Sequence, residues 1–338
     1  MKNNILITGT VAFDDIETPF GKSGTIVGGA ATYIGLAASF FSKKLAIVSV
    51  IGEDFPIEEI TFLNERNINT DMIQIIKGGK TFYWKGKYHK NMVSRDTIST
   101  DLNVLENFKP IIKDDYKNSK IILLGNLHPS VQNQTISQVI NKKSFIILDT
   151  MNFWMDTAMV ELKKAIKKTD LLIINDEEAE QLTGEKNIVK SAKKILKMGP
   201  RYSIIKKGDK GSVLISNSKK YDLPSYPVLK VIDPTGAGDS FAGGVAGCLA
   251  SEDKINFESI KKGMICGTIT ASFCIESFGV EGLKKLDKIK LDKRLEIFKS
   301  YLKMIINHQT LKTFLLQKKR KIHNPLNLIE IIYMLVMK

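Results

Sequence analysis

Short apolar runs, separated by helical or loop segments, recur through this chain of 338 residues. Four of these runs have the length and composition of buried strands, namely residues 121–124, 145–148, 171–174 and 202–206. Two earlier runs, at residues 5–10 and 45–51, have the same character. Strands that alternate with helices are joined by crossover connections, which build a mostly parallel sheet. The pattern therefore predicts an α/β protein with a central, mostly parallel sheet.

Weaker signals complete the predicted secondary structure. Strand composition also occurs at residues 213–215 and 228–232. The stretch at residues 81–89 alternates and is rich in aromatic side chains, so it predicts an exposed or half-buried antiparallel strand. Helical spacing is found at residues 30–41, 56–67, about 240–250, 258–275 and 292–307.

Composition and charge are those of an ordinary globular protein, with 43% apolar and 25% charged residues. The length suffices for one large domain with additions or for two domains. The net charge is +14, but only five of the 50 basic residues are Arg, and the Lys residues are scattered. Proteins that bind nucleic acid use Arg and clustered basic patches. The charge therefore favours a lysine-rich composition over a nucleic-acid partner, although it could help attract a polyanionic nucleotide.

The cysteines and the chain termini indicate the compartment. Cys248, Cys266 and Cys274 fall in predicted helices, and their odd number and spacing match neither a disulfide framework nor a zinc site. They predict small core residues in a reducing compartment. The N-terminus lacks a signal-peptide pattern, and no stretch has the ~20 apolar residues that a membrane span requires. These features predict a cytoplasmic protein without a membrane span.

The segment at residues 233–244, DPTGAGDSFAGG, is the most informative for function. Gly236, Ala237 and Gly238 precede Asp239, and a helical run follows them. A glycine turn at a helix start points free N–H groups and the positive end of the helix dipole at one spot, which suits an anion. We therefore predict that these three residues form an anion hole. An acid beside bound negative charge makes sense as a base for an attacking hydroxyl, so Asp239 is predicted to be catalytic.

These twelve residues resemble the C-terminal motif of the ribokinase-like (PfkB) carbohydrate kinases, and the resemblance extends over about residues 3–305. It implies a three-layer α/β/α sandwich with a small β lid, built from about residues 12–27 and 78–100. The implied activity is transfer of the γ-phosphoryl group of ATP to a hydroxymethyl group of a sugar or sugar-like acceptor. The kinase domain would span residues 1–307. Residues 308–338 form a basic and apolar extension, expected to be disordered, with a membrane-surface or partner helix as the alternative.

Two stretches after predicted strands resemble the family's nucleotide site. Asn175 and Glu178 match its N-x-x-E motif, which implies that they hold Mg²⁺ through water; the alternative is an N-terminal helix cap. The segment at residues 206–211 resembles the K-x-G-x-x-G stretch. That match assigns Lys207, Gly208 and Gly211 to ATP, with a plain hairpin turn as the alternative.

The N-terminal part resembles the family's acceptor site. Asp14 lies five residues after Gly9, and Gly28 and Gly29 open a helix, so the resemblance assigns Asp14 and the glycine pair to the hydroxyls of the acceptor. Tyr33 stands where many members have Asn. This departure suggests a different acceptor, or one recognised partly by stacking on the ring.

Further residues are assigned less directly. Asn126 and His128 follow a strand and are predicted to face the acceptor, while Asp149 and Asn152 either contact phosphate or metal through water or cap a helix. In relatives, an acid matching Asp233 and carbonyls matching residues 277–279 hold a monovalent cation, which implies K⁺ here. The aromatic stretch at residues 81–89, with Arg95 and Asp96, looks like part of the lid, which can also join two subunits.

Three functions stay open at this point. A sugar kinase is the main hypothesis, and a nucleoside kinase of the same fold is the alternative, because Tyr33 and the aromatic lid would permit a stacked base. A non-catalytic protein that binds a nucleotide or a sugar is the third. Asp239 argues against it, since a protein that only binds has no use for a base at that spot.

Overall fold

The computed structural model describes residues 5–139 and 143–319 of the protein, with side-chain surroundings as far as residue 305. The chain divides into two compact units, Met1–Leu291 and Asp292–Lys338. All the predicted site residues belong to the first unit. Both sheets also belong to it.

The strands alternate with helices through most of the first unit. In chain order the strands are β1 (Ile5–Thr8), β2 (Ala12–Thr18), β3 (Gly21–Gly28), β4 (Leu45–Gly52), β5 (Ile68–Ile76), β6 (Tyr83–Tyr88), β7 (Arg95–Asp101), β8 (Ile121–Leu124), β9 (Phe145–Asp149), β10 (Leu171–Asn175), β11 (Tyr202–Lys206), β12 (Ser212–Ile215) and β13 (Lys220–Leu223). The helices are α1 (Ala30–Ser39), α2 (Ile57–Glu65), α3 (Pro129–Gln138), α4 (Asn152–Thr157), α5 (Met159–Lys167), α6 (Asp176–Thr183), α7 (Ile188–Met198), α8 (Ala237–Ala250), α9 (Phe257–Cys274), α10 (Glu281–Lys284) and α11 (Lys288–Lys319).

The main sheet of the described residues has nine strands in the order β13-β12-β11-β10-β9-β8-β1-β4-β5. From β5 to β11 each strand is parallel to its neighbour, while β12 and β13 are antiparallel additions at one edge. Parallel strands end at the same edge of a sheet, where ligands bind in open α/β folds. The loops after β9, β10 and β11 therefore open toward one region.

Helices cover both faces of this sheet. Successive side chains of a strand point to opposite faces, so Leu6 and Leu172 pack with Leu162 of α5 and Ile195 of α7 in one core. The other face is covered by α1, α8 and α9. This arrangement confirms the predicted three-layer α/β/α fold with a mostly parallel sheet.

A second sheet has the order β3-β2-β6-β7 within the described residues. β6 pairs parallel with β2 and antiparallel with β7. These strands occupy the segments that were predicted to form the lid. The small β layer of the predicted fold is thus present, built from two hairpins.

The prediction of a strand at residues 228–232 was wrong. This segment is a loop in which Leu229 is fully exposed, and the N–H of Ile232 donates to the carbonyl oxygen of Ile275 at 2.8 Å. The edge strand is β13 instead, which sequence analysis missed because its polar residues Lys220 and Asp222 face outward. The glycine turn is therefore entered from a loop and not from a strand.

The C-terminal helix α11 contains residues 292–307, as predicted, and continues to Lys319. Residues 308–319 of the predicted extension lie in this helix, and residues 320–338 lie outside the described part of the chain. Among the residues described, no helix is both long enough and apolar enough to cross a membrane.

Candidate active site

A glycine turn shapes the start of α8. Gly236 precedes the helix with φ 75°, a conformation that residues with a Cβ atom rarely adopt. A Cβ atom at this position would also lie 2.3 Å from the ring of Tyr33. Position 236 therefore requires glycine both for its backbone conformation and for its contact with the ring.

The amides of this turn differ in their partners. The N–H of Ala237 donates to the carbonyl oxygen of Pro234 at 3.2 Å, within the turn. The anion hole of Gly236, Ala237 and Gly238 stays a prediction. Gly238 lies in the first turn of α8, where a helix has no internal acceptor for an N–H group. Its amide is therefore free of the helix and suited to an anion.

Asp239 is the third residue of α8, and one of its carboxylate oxygens is buried. That oxygen, Oδ1, has no hydrogen-bond partner among the described residues. Burial, followed by the charge of Asp149, raises the pKa of Asp239 to about 7, although Lys206 acts in the opposite direction. A carboxylate with an unused oxygen and a pKa near neutrality has the properties of a general base.

Lys206 ends β11 and brings a cation into the same site. Its Nζ atom lies 3.6 Å from Oδ1 of Asp149 and 2.8 Å from the point that a Cβ atom on Gly238 would occupy. Burial alone would lower the pKa of this lysine, but Asp149, Glu178 and Asp239 raise it overall. The ammonium group therefore stays charged beside the first turn of α8.

Asp14 lies against Gly28 and Gly29, the glycine pair that the resemblance assigned with it to the acceptor. The Asp14 carboxylate is 5% exposed, and a Cβ atom on Gly28 would lie 1.8 Å from its Oδ2 atom. Gly29 has φ 89°, and its amide bonds the Asp14 carboxylate. Burial, with added contributions from Asp233 and Asp239, raises the pKa of Asp14 to about 7. The predicted acceptor residue and the predicted base thus belong to one electrostatic site.

Tyr33 lies behind the glycine turn and is only 1% exposed. Its hydroxyl has no hydrogen-bond partner among the described residues. Burial, with Asp14 as the largest charged contributor, raises the pKa of Tyr33 well above its usual value. A ring in this position cannot stack on a ligand in this conformation, so only the hydroxyl could serve the predicted acceptor role.

Asn175 and Glu178 form a reciprocal cap at the start of α6. The Asn175 side chain accepts from the N–H of Glu178, and the Glu178 carboxylate accepts from the N–H of Asn175, both at 2.8 Å. The capping alternative is therefore realised. Burial raises the pKa of Glu178 to about 7, while Lys206 lowers it. The cap holds the Glu178 carboxylate near Lys206. Binding of Mg²⁺ through water by Asn175 and Glu178 stays a prediction.

The predicted ATP stretch is a tight connection between β11 and β12. The N–H of Lys207 donates to the carbonyl oxygen of Gly211 at 2.7 Å, and Gly208 and Gly211 have φ 57° and 83°. Nζ of Lys207 lies 3.7 Å from Asp222 on β13. The hairpin alternative is thus present. A role in binding ATP stays a prediction for these three residues.

Asn126 contacts a group of aromatic side chains, and its predicted contact with the acceptor stays a prediction. Its Oδ1 accepts from Nε1 of Trp154 at 2.8 Å, and its amide contacts the sulfur of Met151. His128 caps α3 and meets the same indole edge-on at 5.1 Å. Asp149 and Asn152 were both predicted to contact phosphate or metal through water or to cap a helix. Asn152 begins α4 and hydrogen-bonds Gln181 at 2.5 Å. Asp149, the last residue of β9, lies near Lys206.

Asp233 anchors the other side of the glycine turn. It is fully buried, and its carboxylate accepts from the amides of Thr235, at 2.8 Å, and Gly279, at 2.9 Å. Burial raises the pKa of Asp233 despite these bonds. These two hydrogen bonds hold the glycine turn against the segment at residues 277–279. No group of three or more His, Cys, Asp or Glu side chains suited to a metal occurs in the described part of the chain.

The small sheet reaches the turn through Tyr88, whose hydroxyl accepts from Oγ1 of Thr235 at 3.1 Å. The Arg95 guanidinium lies over the rings of Trp84 and Tyr88, at 5.7 and 5.9 Å. Its charge lowers the pKa of Asp239 as a minor contributor, after the larger effects of burial and Asp149. The predicted lid therefore contacts the candidate anion site directly.

No individual role was predicted for Lys206, Tyr88 or Arg95, although Lys206 begins the stretch that resembles K-x-G-x-x-G and Arg95 was placed in the lid. One signal for Lys206 was available, since a charged residue at the end of a buried strand points to the ligand edge of the sheet. The lid residues gave no such signal. Their meeting with Thr235 and Asp239 depends on how the two sheets pack.

A half-buried carboxylate at a helix start, with a cation beside it and a buried acid across the turn, is an arrangement suited to phosphoryl transfer to an alcohol group. The profile of the pfkB family of carbohydrate kinases matches residues 20–285. The chain belongs to that family.

Known proteins resemble the chain over most of its length. A cytidine kinase from Thermococcus kodakarensis is 25% identical over 71% of this chain and 86% of its own. The structure of Arabidopsis thaliana ribokinase with ribose and ATP has a TM-score of 0.70 at 20% identity, over 87% of this chain and 99% of its own. A putative ribokinase II from E. coli with ATP and Mg²⁺ has a TM-score of 0.72 at 17% identity, over the same shares. These two structures share the fold.

Proposed function

We propose that this protein transfers the γ-phosphoryl group of ATP to a hydroxymethyl group of a sugar or sugar-like acceptor. The observation that carries the proposal is Asp239, whose unpartnered oxygen and pKa of about 7 occur in the first turn of α8. The amide of Gly238 and the ammonium of Lys206 lie beside it. This combination supplies a proton acceptor and an anion site within one turn of helix.

The proposed chemistry needs only a proton transfer and a displacement. Asp239 accepts the proton of the acceptor hydroxyl while the oxygen attacks the γ-phosphorus and the bond to ADP breaks. The proton then resides on the carboxyl group and is released to water as the product leaves. A pKa near neutrality allows both steps at physiological pH.

Lys206 and the amide of Gly238 are proposed to hold the charge of the phosphoryl group as it transfers. Donors fixed in a half-buried site stabilise developing charge without reorganising. Lys206 also favours the ionised form of Asp239, because its charge lowers the pKa of that carboxyl against the effect of burial. The same lysine thus serves the anion and the base.

Mg²⁺ would neutralise the phosphates of the nucleotide when bound. We propose that Asn175 and Glu178 hold it through water, since a buried carboxylate with a raised pKa suits a nearby cation. K⁺ is proposed beside Asp233, where it would share a carboxylate that already accepts two amides. Lys207, Gly208 and Gly211 are proposed to contact ATP.

Asp14, Gly28 and Gly29 are proposed to bind the hydroxyls of the acceptor, because a buried carboxylate is a good partner for a diol. The second candidate acceptor is a nucleoside, whose sugar carries the same hydroxymethyl group. The similarity to a cytidine kinase favours it. A homodimer through the small sheet and a cytoplasmic location remain predictions.

Gly28→Ala is expected to raise KM for the acceptor by about 10-fold or more while KM for ATP stays unchanged. The new methyl group would displace the Asp14 carboxylate, and hydrogen bonds to a charged group contribute about 1.5–3 kcal/mol. Gly184→Ala is the control for lost stability away from the site: a Cβ atom there has open space but is strained by a φ of 71°, so Tm should fall while both KM values stay unchanged. Steady-state kinetics with each substrate varied checks the result. Equal rises in both KM values would contradict the role of Asp14.

The pH dependence of kcat/KM is expected to show an acidic limb centred near pH 7. Asp239 and Asp14, each with a pKa raised to about 7, must be ionised to act as base and as acceptor ligand. Activity should therefore be low below that pH and rise as the pH rises through it. Rates between pH 5.5 and 9 check this, and a profile that stays flat down to pH 5.5 would count against both assignments.

An acceptor panel tests the function itself. ATP, Mg²⁺ and the protein are incubated with ribose, other pentoses and hexoses, cytidine and inosine, and the products are identified by ³¹P NMR. A phosphomonoester on a hydroxymethyl group of any acceptor supports the proposal, and the preferred compound separates the two candidates. ATP binding without turnover on every acceptor would favour the non-catalytic alternative.

A further inference from the structure

Helices α8 and α9 pack antiparallel in a regular register. Two contacts define it. A Cβ atom on Gly244 would lie 2.5 Å from Oγ1 of Thr270, and Lys262 of α9 bonds Glu252, two residues beyond α8, at 3.0 Å. The second contact lies eight residues forward on the α8 side and eight residues back on α9, about two helical turns. The rung midway between these two contacts pairs Cys248 with Cys266.

The two helices approach unusually closely near this rung. A Cβ atom on Gly244 would lie 2.7 Å from the Cα atom of Gly267, and one on Gly267 would lie 2.5 Å from the carbonyl oxygen of Phe241. Only glycine allows this approach. Because Cys266 adjoins Gly267, and Cys248 lies one turn beyond Gly244, the close approach brings the two thiol groups together.

The two thiols are in contact. Cys266 hydrogen-bonds the sulfur of Cys248, and this bond lowers the pKa of Cys248. Cys248 is partly exposed, whereas Cys266 is 8% exposed. The pair therefore combines an accessible thiol, whose thiolate the hydrogen bond stabilises, with a buried thiol behind it, an arrangement suited to oxidation in two steps.

We propose that Cys248 and Cys266 form a dithiol site that a hydroperoxide oxidises to an intrachain disulfide. The Cys248 thiolate attacks one peroxide oxygen, the O–O bond breaks, and a sulfenic acid forms. The other oxygen takes up the proton that the Cys248 thiol had released and leaves as an alcohol, or as water when the peroxide is H₂O₂. The Cys266 sulfur then attacks the Cys248 sulfur, the S–O bond breaks, and the hydroxyl group leaves as water with the Cys266 thiol proton. The two thiols lose two electrons in total, and the peroxide gains them.

The disulfide would join the helices without disturbing the candidate active site. Its cysteines already face each other in the native register, and Asp239 lies more than two turns away on α8. Closing a loop of this length constrains the unfolded chain, so Tm should rise by about 5–10 °C. We expect kcat to change by less than about twofold, because the first turn of α8 stays in place.

The test uses the reduced full-length protein and a graded series of H₂O₂ concentrations. Remaining thiols are alkylated after denaturation, and peptides are mapped by mass spectrometry without reduction. The expected product is a monomer with Cys248 linked to Cys266 and an alkylated Cys274. That third cysteine is an internal control, because it is fully buried and burial raises its pKa to about 12. Dithiothreitol should reverse both the link and the rise in Tm.

Two variants keep the proposal falsifiable. Cys248→Ser and Cys266→Ser should each abolish the intrachain link and the binding of phenylarsine oxide, a reagent that bridges two neighbouring thiols. The unmodified protein should bind one equivalent of this reagent. Wild-type protein that ends with Cys248 overoxidised, or linked between molecules while Cys266 stays reduced, would overturn the proposal.

Discussion

Asp239→Asn is expected to reduce kcat by about 10²–10⁴-fold, the range that a general base contributes. The amide has almost the same shape, but it cannot accept the proton of an acceptor hydroxyl. Folding should survive, because Oδ1 of Asp239 has no hydrogen-bond partner among the described residues. Removing a half-buried charge whose pKa burial has raised should leave Tm equal or slightly higher.

The control for this variant is Asp253→Asn, which alters an exposed acid just beyond α8. It should keep kcat within about twofold, since surface substitutions rarely matter. Initial rates with a saturating acceptor, together with thermal unfolding, separate chemistry from stability. Asp239→Asn that retained more than a tenth of the wild-type rate would remove this carboxylate from the role of base.

Lys206→Met is expected to reduce kcat by about 10²–10³-fold, the loss seen when one fixed donor to a developing charge is removed. Met has a similar length but no charge, so the cation beside Gly238 is lost. The variant should also shift the acidic limb of the pH profile upward, because Lys206 lowers the pKa of Asp239. If Lys206 had only a structural role, its replacement would leave the acidic limb of the pH profile where it is.

Lys193→Met on α7 is the matched control, because this lysine is exposed on the helix surface. Its rate and pH profile should equal those of the wild type. Loss of Lys206 removes the cation that stabilises the charged forms of Asp149 and Glu178 most, so thermal unfolding has to confirm that the variant is folded. A folded variant with an unchanged rate and an unchanged acidic limb would contradict both roles of the lysine.

Features set by local sequence could be predicted. The apolar runs of the main sheet became β8, β9, β10 and β11 with bounds close to those expected, because each run is buried on both faces and needs no polar alternation. The glycine turn was also recognisable, since position 236 requires a left-handed backbone. In both cases one segment carries its own physical constraint.

Features set by contacts between distant segments could not be predicted. Lys206 stays charged because of Asp149 and Glu178, which belong to other strands and helices. Tyr33 turned out to be buried because Gly236 packs on its ring. The spacing of residues along a chain does not reveal contacts between residues that are far apart in the sequence.

Two signals were ambiguous for a chemical reason. Asn175 and Glu178 have the residue types of a helix cap and also those of a magnesium site, so one pattern serves both purposes. Residues 228–232 have strand composition, but their neighbour Asp233 is tied to Gly279 by a hydrogen bond, and this segment stays a loop. β propensity describes a residue on a packed sheet and cannot supply the partner strand.

The most direct test of the central claim is a crystal structure of the protein with Mg²⁺, a non-hydrolysable ATP analogue and the best acceptor from the panel. We predict the terminal phosphoryl group within hydrogen-bond distance of the Gly238 amide and of Nζ of Lys206. The acceptor hydroxyl should contact Oδ1 of Asp239. A nucleotide bound elsewhere, or an acceptor whose hydroxyl lies away from Asp239, would contradict the account.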